Sequence, residues 1–230
     1  MSIQVINTLI DKNDTFEVVR DQIALILKTN VAEQMIRATA ASKDPKLWDL
    51  QIFSERANPF EEFLQETPAS TVPLVNIWYD TQSFDRRKGN VTNRQQSDTT
   101  FNIDVYGYGV SASSGTGHTA GDKSSSLEAQ RGVRLVRNIL MADINTYLQL
   151  PRGNVEGGGF SGRWIDNIQS FQPEIDERPV ANVRALRISF STSFNEFSPQ
   201  YVNEILEEIG LIVRRKETGE IYFNKDFDVT

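Results

Sequence analysis

The residues with the greatest chemical potential are concentrated in a glycine-rich loop, SSGTGHTAGDKSS, which lies between a predicted strand and a predicted helix. Phosphate-binding loops occupy this kind of position, because glycine amides and a lysine can surround a phosphate at the start of a helix. The spacing here departs from that pattern, since Asp122 separates Gly121 from Lys123 and its negative charge would oppose a phosphate. We therefore interpret Gly115–Ser124 as a solvated loop, with a nucleotide-binding enzyme as a remote alternative.

The only histidine, His118, lies in the same loop. A histidine that acts as a general base needs a nucleophile and an orienting partner, and the flanking sequence signals neither. The chain also has no cysteine, which excludes disulfide bonds, thiol catalysis and zinc–thiolate sites. The residue types therefore predict a protein that is not an enzyme, with no catalytic residue, cofactor or metal site.

Four basic residues form the densest positive group, in the polar segment between two predicted strands: Arg86, Arg87, Lys88 and Arg94. At the tip of a hairpin they could contact phosphates or an acidic protein surface. The alternative is a solvated tip that stays polar and so avoids aggregation. The net charge of −7 argues against a surface that wraps nucleic acid, although it permits a local basic patch.

The composition predicts a folded protein. The chain has 230 residues, of which 39% are hydrophobic, and this is enough to build a core. No apolar run approaches the roughly 20 residues that span a membrane. The N-terminal sequence also lacks the pattern of a secretory signal. We expect the chain to stay in the cytoplasm or to enter an assembly there, without contact with a membrane.

Two long helices are predicted from apolar residues that recur at helical spacing. The first runs from Thr15 to about Ala41, and the second from about Ser125 to Leu148. Their apolar stripes are Val19, Ile23, Leu27, Val31 and Met35 in the first helix, and Val133, Val136, Leu140, Ile144 and Tyr147 in the second. A shorter helix is predicted to start at Asn58-Pro59 and to end at Thr67-Pro68. A further helix is predicted from Ser198-Pro199 to Gly210.

The clearest strand is Val183–Phe197, VRALRISFSTSFNEF, in which apolar residues alternate with serines and other polar residues. Such alternation predicts one face in a core and one polar face. Other predicted strands are Leu47–Phe53, Pro73–Tyr79, Thr99–Val110 and Trp164–Phe171, with a glycine-rich loop from Gly157 to Gly162 before the last. Around Gly107 the apolar residues change phase, which indicates a bulge or burial on both faces. The tail predicts a small hairpin from Leu211–Val213 and Glu220–Phe223.

The order of elements predicts an α+β fold, with an antiparallel or mixed sheet and long helices packed on one face. We expect one domain over residues 1–197, with an insertion at 44–68. Residues 198–230 are expected to form an extension of a helix and a β-hairpin. In this hairpin Ile221, Tyr222 and Phe223 are candidate contacts with a partner or a second subunit, because an exposed hairpin edge can add to another sheet.

The chain resembles the tail terminator, or tail completion, proteins of long-tailed bacteriophages. The resemblance covers about residues 15–197, through the element order and the segments TTFNIDVYGYG, EAQRGVRLVRNILMADINTYL and ALRISFSTSFNEFSP. It implies a homohexameric ring that stacks on the last ring of the tail tube, stops tube growth and offers a docking surface to the head connector. The implied partners are other copies of the chain, the tail tube protein, and sheath, connector or neck proteins. DNA would pass through the lumen without sequence-specific binding.

The same resemblance leaves a second function open, because the chain has segments beyond the shorter family members, at Asp44–Pro68 and Ser198–Thr230. These segments could contact a sheath or a neck. They could also belong to a different head–tail joining component, such as a neck or collar protein. In either case the expected location is the virion, at the tail or neck, after assembly in the host cytoplasm.

Overall fold

The structure is a computed structural model that describes residues 13–65, 70–84, 94–114, 117–152, 159–173, 182–197, 208–214 and 221–228. The chain divides into two compact units, Met1–Pro199 and Gln200–Thr230. The first unit contains a five-stranded sheet with two long helices. The second contains a two-stranded hairpin, and each unit is described by itself.

The helices are α1 (Thr15–Ala40) and α2 (Gly121–Leu140). Short 3-10 segments cover Pro45–Trp48, Pro59–Leu64 and Asp143–Asn145. The strands are β1 (Gln51–Ser54), β2 (Leu74–Phe84), β3 (Arg94–Gly109), β4 (Ala112–Ser114), β5 (Gly117–Thr119), β6 (Gly159–Phe171), β7 (Asn182–Phe197), β8 (Glu208–Arg214) and β9 (Ile221–Asp228).

The main sheet has the strand order β1-β2-β3-β7-β6. β1 pairs in parallel with β2, and the other neighbours are antiparallel. The sheet is therefore mixed, and the predicted α+β class is confirmed. The predicted pairing of the first two long strands is also confirmed, because β2 and β3 form a hairpin in which Leu74 lies opposite Tyr106 and Phe84 opposite Ser97. β3 and β7 pair without a break from Arg94 to Gly109, so the phase change at Gly107 reflects burial on both faces and not a bulge in this pair.

One face of the sheet forms the main core with the two helices. α1 packs against β1 and β2, while α2 packs against β3 and β7. Large side chains that alternate along β3 and β7 fill this layer, among them Phe101, Ile103, Ile188 and Phe190, all fully buried. Gly107 permits the close approach of α2, because a Cβ there would collide with the backbone carbonyl of Ser125. Alternation along the strands therefore sets which residues form the core.

The predicted stripe of α1 is confirmed, since four of its five residues are buried and Met35 is partly buried against them. Asp14 precedes the helix, and its backbone amide donates to the Glu17 carboxylate at 2.9 Å. This arrangement is half of a capping box and fixes the start of the helix.

The structure corrects the predicted limits of α2. The helix begins at Gly121, inside the predicted loop, and ends at Leu140, eight residues earlier than predicted. The Asn145 side chain is buried and donates to the carbonyl oxygen of Ile139 at 2.8 Å, which satisfies the end of the helix and turns the chain away. Consequently Ile144, predicted in the buried stripe, is 76% exposed.

Several other boundaries differ from the prediction. β2 continues past Tyr79 to Phe84 and β3 begins at Arg94 instead of Thr99, so both strands extend into the segment predicted as a polar connection. Pro45–Trp48 forms a 3-10 turn, so the strand predicted from Leu47 begins only at Gln51. Gly159–Gly162, predicted as loop, opens β6 because Phe160 is buried and pairs with Phe194. The predicted C-terminal helix was extended too far, since Glu208–Gly210 belongs to β8. The rest of that predicted helix lies outside the described residues, as does Thr67-Pro68.

The predicted insertion covers part of the second sheet face. Its 3-10 segment brings Phe60 and Phe63 against Leu74, Tyr106 and Val183, and these residues form a second, smaller core. Proline at the first position of the segment fixes the backbone for a helical turn. The remainder of this face, toward the middle of β3 and β7, lies beside the insertion and is polar.

The second unit consists of β8 and β9, paired antiparallel from Glu208 opposite Asp228 to Arg214 opposite Ile221. The predicted hairpin is confirmed and is longer than predicted. Its register places Ile209 opposite Phe227 and Val213 opposite Phe223.

Candidate functional site

The seven predicted contact residues are only partly described. Arg86, Arg87 and Lys88 lie outside the described residues. Arg94 opens β3, where its backbone pairs with Phe197. The residues Ile221, Tyr222 and Phe223 open β9 in the second unit. Their role as contacts therefore stays a prediction.

The glycine-rich loop forms a small hairpin of β4 and β5, followed directly by α2. In the middle pair of this hairpin, the Ser113 hydroxyl and His118 Nδ1 lie 3.0 Å apart and are exposed. The Gly121 amide donates to the Ser111 hydroxyl at 3.0 Å, and the Lys123 amide donates to the Asp122 carboxylate at 2.7 Å. Two amides that a bound phosphate would need are therefore already paired, one of them to a carboxylate.

The strongest cluster of charged residues lies on the polar sheet face, at the centre of β3 and β7. Asp104 and Arg187 are cross-strand partners, and Arg187 donates two hydrogen bonds to the Asp104 carboxylate, at 2.7 and 2.8 Å. Trp78 Nε1 on β2 donates to the same carboxylate at 3.0 Å. The Tyr106 hydroxyl donates a longer hydrogen bond to it, at 3.4 Å. Asp104 is only 2% exposed, so its charge depends on these four donated hydrogen bonds.

Aromatic rings hold the guanidinium of this pair in place. Arg187 lies over the rings of Trp78 and Phe171, 4.9 Å from each centroid. Hydrogen bonding to Asp104 raises the pKa of Arg187, although burial opposes this effect. Burial raises the pKa of the neighbouring Tyr106, and the negative charge of Asp104 adds to the increase. Both groups therefore keep their protons at neutral pH, which suits a structural brace better than a general acid or base.

A cavity of about 350 Å³ opens in front of the pair, lined by Glu55, Arg56, Ala57, Asn76, Trp78, Asp104, Tyr106 and Arg187. Its polar groups bond mainly to one another. The Asn76 side chain accepts from the Arg56 amide at 3.1 Å and donates to its carbonyl at 2.8 Å. Glu55 pairs with Arg20 at 3.3 Å. The cavity walls thus tie β1 and β2 together rather than directing reactive groups at a common point.

A ladder of polar side chains continues along the same face beyond this cavity. Thr100 and Ser191 are 3.2 Å apart, and Gln96 donates to Ser193 at 3.0 Å. A similar bond lies on the opposite face, toward the helices, where Gln82 donates to Glu196 at 2.8 Å. Burial raises the pKa of Glu196, although the hydrogen bond from Gln82 opposes the shift. On the polar face, Thr100, Ser191, Gln96 and Ser193 thus form a hydroxyl-rich surface whose groups bond across strands.

The edge strand β6 is the most exposed part of the sheet. Apart from one bridge between Phe160 and Arg152, it pairs only with β7 among the described residues. Residues Asp166 to Ser170 are all exposed, on both faces of the strand. Trp164 is 53% exposed and Ile168 40% exposed. Exposed apolar residues on an open edge are typical of a surface that another chain covers.

The sequence predicted the polar face of β7, but it did not predict the Asp104–Arg187 ion pair or the exposed edge strand β6. The ion pair had a signal, because Asp104 and Arg187 are the charged residues at the centres of two alternating strands. The exposed edge had none, because the pattern of GRWIDNIQSF predicts a strand without indicating whether it is central or at an edge.

The described part of the chain contains no group of three or more histidine, aspartate or glutamate residues that could hold a metal ion. None of the helices described is both long and apolar enough to cross a membrane. No family model matches the chain, and no curated protein matches it significantly. Functional inference therefore rests on the geometry of the described residues.

Proposed function

We propose that this chain is a non-enzymatic virion assembly protein of the tail-terminator type. Identical subunits form a ring that caps the phage tail tube, ends its growth and offers a docking surface to the head or neck. The observation that carries the proposal is the polar sheet face, where charged and hydroxyl groups bond to each other across strands.

That face has the properties that an assembly surface needs. Its central charges are paired, as in Asp104 with Arg187, so no strong charge is left to attract one particular small molecule. Its hydroxyls, such as Thr100 and Ser191, form a wide polar surface. A surface of this kind can lie against another subunit, or it can line a lumen through which DNA passes without base recognition. The net charge of −7 would reduce adhesion of DNA to the ring.

The two candidate contact regions extend this proposal. The basic group Arg86, Arg87, Lys88 and Arg94 would reach an acidic surface on a neighbour or the phosphates of passing DNA. The β9 residues Ile221, Tyr222 and Phe223 would serve in an interface arm. Truncation after Phe197 should then leave the α+β unit folded and weaken binding to tail tubes. If the truncated chain assembles unchanged, residues 198–230 do not contribute to the interface.

Electron microscopy of the purified protein, alone and with tail tubes, tests the proposal most directly. We expect rings of one defined size and rings on tube ends. A protein that stays monomeric at high concentration and does not bind tubes would overturn the proposal. The symmetry separates the two assembly functions, because six subunits indicate the tail side and twelve indicate a head-side neck or collar protein.

A further inference from the structure

A groove of about 470 Å³ lies between the edge strand β6 and the end of α2. Trp164 and Ile168 of β6 and Met141 after α2 supply its exposed apolar side chains, and Arg137 lies at its rim. Trp164 is opposite Ser191 and Ile168 is opposite Ile188, so the two side chains belong to opposite faces of β6 and the groove runs around the open edge of this strand. Such a surface indicates a binding site for another chain.

The shape of the groove is fixed by contacts beneath it. Arg163 of β6 donates to the carbonyl oxygens of Asn145 at 2.6 Å and Ala142 at 2.9 Å, which ties the strand to the turn after α2. The Trp164 ring lies against Gly162, where a Cβ would come within 3.0 Å of the ring. The surface is therefore formed before binding, and less conformational entropy is lost when a partner docks.

A second exposed apolar surface lies on the outer side of α1. Val18, Leu25, Ala32 and Ile36 are exposed and are separated by seven, seven and four residues, so they lie on one side of the helix, with Gln22 and Thr29 between them. We call this the α1 row. The buried stripe of the same helix already fills the core. The α1 row is thus additional apolar surface that the core does not use.

The two surfaces lie toward opposite ends of the sheet. α1 packs against β1 and β2 at one end, while the groove borders β6 at the other end of the order β1-β2-β3-β7-β6. Two different surfaces at opposite ends can meet only between copies, in a head-to-tail contact that closes into a ring if the rotation permits. We propose that the α1 row of one subunit docks into the β6 groove of the next. This inference rests on the proposed ring and names the surfaces that build it.

Charge favours the same arrangement. The first two turns of α1 and the preceding residue carry Asp14, Glu17 and Asp21, and Arg20 is already bound to Asp21 at 2.8 Å. The last two turns of α2, beside the groove, carry the exposed Arg134 and Arg137. In the proposed contact the acidic start of α1 in one subunit would therefore lie near the basic end of α2 in the next. Such complementarity sets the orientation of the partners and disfavours contact between like ends.

Cysteine cross-linking tests this contact directly, because the natural sequence has no cysteine. We would prepare Leu25→Cys, Ile168→Cys and the double variant, and oxidise each protein under conditions that allow assembly. A mixture of the two single variants should give a cross-linked dimer, and each single variant alone should give none. The double variant should give a ladder of products up to the number of subunits in the ring.

A second pair of variants tests the energetic role of each surface. Leu25→Glu and Ile168→Glu should each weaken self-association by at least about tenfold in analytical ultracentrifugation, since each places a charge in an apolar contact. Leu127→Glu is the matched control, because Leu127 is 52% exposed on α2 but belongs to neither surface. Its association should match that of the natural chain, and circular dichroism would verify that all three variants are folded.

Electron microscopy of the same samples separates failure of the contact from failure of the function. Rings that form without the Leu25–Ile168 cross-link would overturn this contact and leave the proposed function standing. Cross-linking of Ile168→Cys with itself would also overturn the contact, since it would indicate a symmetric β6–β6 dimer. Absence of both rings and tube binding would overturn the proposed function, and the contact with it.

Discussion

The two faces of the five-stranded sheet are stabilised by different interactions. The face toward the helices buries side chains such as Phe101 and Phe190 without any exposed surface. The opposite face buries Asp104 and Asn102 almost as deeply, but these residues are polar. Burial thus reaches both faces of β3, but around Asp104 and Asn102 the second face is stabilised by polar interactions and not by the hydrophobic effect. The comparison shows that exclusion from water and apolar character are separate properties of a strand.

The difference has a consequence for mutation. On the helix face, removing a side chain loses apolar burial and leaves a cavity. On the polar face, removing one member of a pair leaves its partner charged and unsatisfied, whereas removing both members need not cost much. Single and double substitutions should therefore behave differently on the two faces.

The largest effect is expected for Phe190→Ala, on the helix face. Phe190 is fully buried between β7 and the helices, so its loss should reduce the free energy of unfolding by about 4 kcal/mol. Urea denaturation measures this value. Leu127→Ala is the control, because an exposed leucine should change stability by about 0.5 kcal/mol or less. Equal losses for the two variants would contradict the assignment of the core.

The polar face should show a smaller but still large effect in Asp104→Ala. The variant leaves Arg187 without its two hydrogen bonds and Trp78 without an acceptor, and should lose about 3 kcal/mol. This value is at the low end for a buried pair, because the Arg187 side chain is 26% exposed. The double variant Asp104→Leu/Arg187→Met should lose less than the single one. A double variant as unstable as the sum of the two singles would indicate that the pair is not coupled.

The sequence predicted the helix face better than the polar face, for a physical reason. Alternation in Val183–Phe197 identified the buried residues, because the period of two is set by the backbone itself. It also placed Arg187 on the polar side, but the pairing with Asp104 depends on strand order, which the local pattern does not encode. The predicted end of α2 was wrong for a similar reason, since the helix ends where the Asn145 side chain bonds to its last turn and not where the apolar pattern stops.

Arg163 provides an intermediate case, because it is a charged residue on the helix face. It donates to two carbonyl oxygens after α2, at Asn145 and Ala142, and burial lowers its pKa. Arg163→Met keeps the apolar stem but loses both hydrogen bonds, so unfolding should become easier by about 1–2 kcal/mol. The variant should also loosen the β6 groove, which hydrogen exchange of the Trp164 and Ile165 amides would detect. Unchanged exchange there would show that the groove does not depend on Arg163.

The smallest expected effect concerns Glu196, a carboxylate at the end of β7 on the face toward the helices, and it appears as a pH dependence. Burial raises the pKa of Glu196 in the folded protein, against the hydrogen bond from Gln82. The folded state therefore holds this proton more tightly than the unfolded state, where the pKa is about 4.3. Protonated Glu196 therefore favours the folded state at low pH. This stabilisation is lost as the pH rises from about 4 through the raised pKa of Glu196 in the folded protein.

Glu196→Gln tests this assignment, because glutamine stays neutral and can still accept from Gln82. Unfolding free energies of the two proteins should agree at pH 4, and the variant should be more stable at pH 7, by at most about 0.5 kcal/mol because the group is partly exposed to screening solvent. Glu128→Gln serves as the control. Glu128 forms an ion pair with Arg131 at 2.6 Å, so this substitution should lower the stability of the protein at pH 7. If Glu196→Gln also loses stability at pH 7, the charged hydrogen bond to Gln82 outweighs burial. Carboxylates would then be held by pairing on both faces of the sheet, Glu196 on the helix face as Asp104 on the polar face.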